Sequence, residues 1–132
     1  HKRDKEIYGN GSLAKISGNC KRLAKELDLE VAFQQSNSEG EIVTFIQDAI
    51  DNFDAMIINA AAYSHTSIAI RDALEMFDKP KIELHISNLS KREEFRQYSF
   101  ISEVVTAVIS GLGVDGYTIS LLAINNLIDH KN

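Results

Sequence analysis

Two histidines, a carboxylate and an amide lie just past short apolar runs, a placement suited to moving protons. The first run, Met56-Ile57-Ile58, is followed by Asn59 and, six residues on, by His65. The second is Lys81-Ile82-Glu83-Leu84-His85-Ile86-Ser87-Asn88. Imidazole changes charge near neutral pH, so it suits general acid or base work. Side chains alternate along a strand, so Glu83 and His85 share one face, where a carboxylate can fix the imidazole tautomer. On spacing alone, His85 would serve equally as a strand-end residue hydrogen-bonded for structure. Asn59 would serve equally as a turn residue leading into a helix.

The elements that must position these groups alternate between two periods. Residues 1–11 are polar and end in Tyr8-Gly9-Asn10-Gly11, a loop. Ser12 is a suitable N-cap, and Leu13, Ile16, Cys20, Leu23 and Leu27 form a helical stripe. Leu29 to Gln35 alternates as a strand. Glu41 to Ile50 is predicted helical, and Ala55 to Asn59 reads as a strand covered on both sides. Ser67 to Phe77 follows as a helix, then Pro80 and a strand from Lys81 to Ile86. Ser90-Lys91-Arg92-Glu93 has the form of a capping box opening a short helix. Val104 to Ser110 is the last strand, Gly111 and Gly113 mark a turn, and Tyr117 to Ile128 closes the chain as a helix.

Such alternation predicts an α/β domain with a parallel sheet and helices on both faces. The expected architecture is a flavodoxin-like three-layer sandwich with strand order 2-1-3-4-5, its pocket at the carboxyl ends of the strands. The chain opens on a loop and a helix with no strand before them. In that order the first strand is interior, and without it two strands would face an empty slot with unpaired backbone. A strand preceding His1 in the native protein is therefore expected.

The 132 residues suit one domain, and 44% hydrophobic with 25% charged residues is ordinary for a globular protein. A net charge of −5 argues against a basic nucleic-acid-binding face. It still leaves room for a small anion held by backbone amides and a few arginines. No apolar run reaches the ~20 residues needed to span a bilayer, so no membrane partner is expected. The lone Cys20 excludes an internal disulfide, fits a reducing, cytoplasmic setting, and lies on the apolar stripe as a core residue.

Several segments resemble, in order, those of the type II 3-dehydroquinate dehydratases (type II dehydroquinases). Asn59-Ala60-Ala61-Ala62-Tyr63-Ser64-His65-Thr66-Ser67 is similar to their Asn-(Pro/Ala)-Gly-(Ala/Gly)-x-(Thr/Ser)-His-Thr-Ser motif. Glu83-Leu84-His85-Ile86-Ser87-Asn88 resembles their Glu-Val-His-(Ile/Leu)-(Ser/Thr)-Asn motif, and Arg92-Glu93-Glu94-Phe95-Arg96 the arginine motif after it. Gln35 to Glu41 resembles their Gln-(Ser/Thr)-Asn-x-Glu-Gly-Glu turn, and Gly111 to Tyr117 their Gly-x-Gly-x-x-Gly-Tyr. Arg3 to Gly9 resembles the Arg-x-Pro-x-x-Tyr-Gly lid, which makes residues 1–11 an expected active-site lid.

The resemblance implies removal of water from 3-dehydroquinate to give 3-dehydroshikimate through an enolate, with no metal and no cofactor. Such chemistry needs a base for a proton next to a ketone, a stabiliser for the enolate oxygen and an acid for the leaving hydroxyl. The resemblance assigns Tyr8 as base with Arg3 beside it, and His85 as acid with Glu83 as its partner. Asn59, His65 and Arg96 match substrate-binding positions. Ile86 and Ser87 match positions that hold the substrate carboxylate through their amides and the serine hydroxyl. Asp72 matches an acidic residue lent to a neighbouring subunit's site, in an expected dodecamer of four trimers. Read from the residues alone, Tyr8 is equally an exposed loop aromatic, Asp72 an ordinary helix charge and Arg92 a first-turn structural residue.

Three departures from the pattern stand out. The family's opening strand and Gly-Pro-Asn-Leu-Asn segment have no counterpart here, Lys5 stands where the lid usually has proline, and Ala60 to Ala62 replace a glycine-containing turn. Two other readings remain open. One is a non-catalytic flavodoxin-like ligand-binding or assembly subunit. The other is a flavin- or phosphoacceptor-type doubly wound domain, which leaves both histidine motifs unexplained.

Overall fold

The computed structural model describes residues 10–60, 67–87 and 99–131. In chain order these form helix α1 (Asn10–Glu26), helix α2 (Glu39–Asn52), strand β1 (Met56–Ile58), helix α3 (Ile68–Met76) and strand β2 (Lys81–His85). A 3-10 turn (Phe100–Glu103), strand β3 (Ala107–Ser110) and helix α4 (Asp115–Lys131) complete them. The strands lie in the order β1-β2-β3, both pairs parallel. They are the third, fourth and fifth strands of the expected 2-1-3-4-5 order.

Alternation along the strands sends successive side chains to opposite faces. Met56 and Ile58 pack with Ile46 and Ala49 of α2, Ile70, Ala73 and Leu74 of α3, Phe77 and Ile101. Ile57, one residue out of phase, joins Ile16, Cys20 and Ala24 of α1 and Leu121 of α4. These are the two outer layers of the sandwich. β2 lies between the other strands and is buried throughout, including Lys81, whose ammonium donates to the carbonyls of Leu74 and Phe77, both at 2.6 Å. That lysine thereby adds bonds to the carbonyls at the end of α3. Burial pushes the Cys20 thiol up, so it packs as an apolar group and is a poor nucleophile.

Helix ends follow local chemistry. Ser38 caps α2 by accepting from the Glu41 amide, and Ser67 caps α3 by accepting from the Ile70 amide. α1 ends in a Schellman motif: Leu29 N–H donates to Ala24 C=O and Asp28 N–H to Lys25 C=O, with Asp28 left-handed at φ 59°.

Several boundaries differ from expectation. α1 already includes residues 10–12, so Ser12 lies in its first turn and the loop assigned to 1–11 ends sooner. β1 and β3 are shorter than expected because ladder pairing, which apolar runs do not report, sets strand ends. α4 starts two residues before Tyr117, at Asp115. The run Leu29 to Gln35 forms no strand. Leu29, Val31 and Phe33 are half-buried against the α1–α4 core while Glu30, Ala32 and Gln34 are exposed, so the expected alternation is present. A ladder needs a neighbouring strand, and among the described residues this run is paired with none. The capping box at Ser90 and the lid motif lie outside the described residues.

Close packing of α4 on β2 yields two expected outcomes. A Cβ at Gly116 would sit 2.6 Å from Cδ1 of Leu84, a fully buried side chain with little room to swing. Overpacking costs about 1–3 kcal/mol, against about 1 kcal/mol of helix propensity gained. Gly116→Ala should therefore lower stability by about 1 kcal/mol, read as an earlier urea midpoint. Ser120 Oγ is buried with no hydrogen-bond partner among the described residues. An unsatisfied buried hydroxyl costs about 1–3 kcal/mol. Ser120→Ala should raise the thermal midpoint by a few degrees, and a fall would mean that the hydroxyl has a partner.

Candidate active site

The carboxyl end of β2 places a buried ionisable pair at the rim of the sheet. Glu83 is fully buried and His85 is 1% exposed. Two residues apart on one strand, they meet side by side, with His85 Nε2 hydrogen-bonded to Glu83 Oε2. Ser99 Oγ donates to the same oxygen at 2.7 Å, and Ser102 Oγ donates to Oε1 at 2.8 Å. Burial alone would raise the Glu83 carboxyl; hydrogen bonds from His85, Ser99 and Ser102, with the charge of His85, outweigh it and hold the group below the usual carboxylate range. A lowered folded value stabilises the protein above the ordinary value of 4.5, and that contribution is lost as acid brings the pH down through the lowered one.

Beyond His85 the chain turns through half-buried Ile86 and exposed Ser87. Two backbone bonds pin this turn to the loop after β3: Gly111 N–H donates to His85 C=O at 3.2 Å and Gly113 N–H to Ile86 C=O at 3.0 Å. Gly111 and Gly113 have φ of 87° and 61°, which favours glycine at both. On the neighbouring strand Asn59 lies one residue past Ile58, the register partner of Glu83. Its Nδ2 donates to the Tyr117 hydroxyl at 3.1 Å. The Tyr117 ring packs at 6.0 Å on Phe33, so the extended run 29–35 braces the Asn59 side of the site. A paired acid–base group and a braced amide therefore stand on adjacent strand ends, where an alternating α/β sheet forms its pocket.

The family model described as dehydroquinase class II matches residues 1–125. The chain belongs to this family. A 3-dehydroquinate dehydratase of Bartonella tribocorum is 50% identical over 119 residues, 90% of this chain and 80% of that protein. One from Endomicrobium trichonymphae is 52% identical over 90% of this chain and 83% of its own length. The crystal structure of a type II dehydroquinase from Butyrivibrio crossotus superimposes with a TM-score of 0.86 at 42% identity, covering 93% of this chain and 86% of that one.

For a class II dehydroquinase, the described residues bring together part of the expected set. Glu83, His85, Ile86, Ser87 and Asn59 gather at the ends of β1 and β2. Asp72 lies apart, exposed on α3, with Arg71 3.5 Å away. Arg3, Tyr8, His65, Arg92 and Arg96 lie outside the described residues. Among those described, no cluster of His, Cys, Asp or Glu could hold a metal ion. Sequence reasoning missed Ser99 and Ser102. The available signal was their spacing of three, since a 3-10 turn has three residues per turn and stacks positions i and i+3. It also passed over Tyr117 as a partner of Asn59, a contact between residues 58 positions apart.

Proposed function

We propose that this chain is a 3-dehydroquinate dehydratase of the type II class, a hydro-lyase that converts 3-dehydroquinate to 3-dehydroshikimate for aromatic biosynthesis. The observation that carries the reading is the buried Glu83–His85 pair at the end of β2, within a chain that matches the family nearly throughout. A ligand-binding subunit without turnover has no need of a carboxylate and an imidazole buried against each other. Such a pair is costly unless fully hydrogen-bonded.

In the reaction, Tyr8 takes the proton next to the ketone, with the Arg3 guanidinium favouring its phenolate. Electrons collect on the ketone oxygen as an enolate. The enolate electrons then re-form the carbonyl and make a C=C bond, the C–O bond on the carbon β to the ketone breaks, and His85 protonates the departing hydroxyl so that it leaves as water. Nε2 is held by Glu83, so Nδ1 is the nitrogen that delivers the proton. Asn59, His65 and Arg96 hold the ring substituents, while the amides of Ile86 and Ser87 and the Ser87 hydroxyl receive the carboxylate. Residues 1–132 act as one domain, with the opening loop closing over the substrate. Asp72, an exposed residue of α3, contributes to a neighbouring protomer's site in a dodecamer of four trimers. The setting is the cytoplasm, and no metal or cofactor takes part.

Mixing the protein with 3-dehydroquinate should raise the ultraviolet absorbance of the conjugated enone, in the presence of chelator as well. No rise, with the ligand still protecting the protein against heat, would mean a pocket without turnover and would overturn the reading.

A further inference from the structure

Ser99 stands at the N-cap position of the 3-10 turn, where a serine hydroxyl usually accepts from the turn's own amides. It makes no such cap bond. Its hydroxyl, 4% exposed as a residue, instead donates to Glu83 at 2.7 Å. Three residues on, in the same turn, Ser102 donates to the other carboxylate oxygen at 2.8 Å. Stacking of i and i+3 in a 3-10 turn aims both hydroxyls at one group. Glu83 is thus gripped through both oxygens, across 16 and 19 residues of sequence, while one of those oxygens also takes His85 Nε2.

We propose that Ser99 and Ser102 are positioning residues for the dehydration: their hydroxyls lock the Glu83 carboxylate in one orientation, and Glu83 in turn aims the His85 ring at the leaving hydroxyl. The inference rests on the dehydratase reading and extends its acid from two residues to four. A carboxylate held only by its histidine could rotate about its last bonds and carry the ring with it. Held at both oxygens, it cannot turn without breaking a charge-assisted bond in a dry interior.

The two cations that pack on this face, Lys81 and Arg71, are engaged elsewhere. Lys81 of β2 caps α3. Arg71 of α3 lies 3.9 Å from Glu103 of the 3-10 turn, both at the surface. β1 and β3 carry no ionisable side chain, and α4, on the opposite face, has Asp115 in its first turn. Among the described residues, Ser99, Ser102 and His85 are the groups that hydrogen-bond Glu83 and hold its carboxyl down.

The test uses Ser99→Ala, Ser102→Ala and the double variant, with Ser120→Ala as a control for a buried serine outside the site. Misplacing a reacting group by a fraction of an ångström to an ångström costs about ten- to a hundredfold in rate. The expected result is a kcat about tenfold lower for each single variant and about a hundredfold lower for the double, with KM within about twofold of the unaltered protein. Ser102→Thr, which keeps the hydroxyl at the half-buried position, should restore kcat. A carbon-13 NMR titration of the Glu83 carboxyl should move up by about one pH unit per hydroxyl lost, since a bond to a charged group is worth at least that much. The titration needs no turnover. If the unaltered chain failed to dehydrate 3-dehydroquinate, the function would fall while the titration still decided whether the serines govern Glu83. If the double variant did not fold, Ser102→Ala alone would carry the test. An unchanged kcat with an unchanged Glu83 titration in a folded variant would overturn the proposal. So would a loss that Ser102→Thr failed to restore.

Discussion

His85→Ala is expected to lower kcat by about 10²- to 10⁴-fold, the usual worth of a positioned general acid, with KM changed far less. The hydroxyl would then have to leave without a proton donor. Near-native turnover would refute the acid role. The same substitution should weaken the fold. It strips from Glu83 its hydrogen bond and its charged partner and leaves a buried carboxylate held by two serines. Breaking a buried pair in this way costs about 3 kcal/mol. It also shifts the pH dependence in a defined direction. In the unaltered protein the Glu83 carboxyl sits below its ordinary value of 4.5 largely because of His85, so its ionisation stabilises the fold until the pH falls through that lowered value. Without His85 the folded value rises, and the loss of stability begins at a higher pH. Thermal unfolding followed from about pH 7 down to about pH 3 should show the variant giving way earlier on acidification. His85→Gln, which keeps a donor for the carboxylate, should recover much of the stability and none of the rate. Recovery of rate would mean that the ring's proton is not the one used.

Tyr8→Phe is expected to abolish turnover while leaving the fold and ligand binding nearly intact. The substitution removes one oxygen, and with it the atom proposed to take the proton next to the ketone. The other groups of the assigned set have different tasks: His85 is committed as the acid, His65 to holding the ring, and Arg3 has no basic form near neutral pH. The loss should reach at least the 10²- to 10⁴-fold of a general base and appear wholly in kcat. Protection against heat by a bound substrate analogue should persist, because the ring hydroxyls and carboxylate are held by other residues. Equal loss of turnover and of ligand protection would sink the assignment and return Tyr8 to the role of a packing aromatic.

Much of the domain was legible from residue order because the signals are local. A helical stripe such as Ile16, Cys20, Leu23 and Leu27 depends on a period of 3.6 residues, and the buried run at Lys81 to His85 on its length and composition. The sharing of a strand face by Glu83 and His85 followed from a period of two alone, and they do touch.

What only the tertiary structure decided is pairing. Leu29 to Gln35 carries the alternation of a strand, yet alternation says which face a side chain takes and nothing about which backbone lies alongside. Without a described neighbour the run stays extended and unladdered. Ser99 and Ser102 look like turn residues until a crossover of more than a dozen positions brings them onto Glu83. Tyr117 reads as the start of a helix until it reaches Asn59. The residues that could react were set by their chemistry and by short spacings. The residues that aim them were set by which segments the fold brings into contact, because a hydrogen bond between distant positions depends on where the chain returns and leaves no period behind.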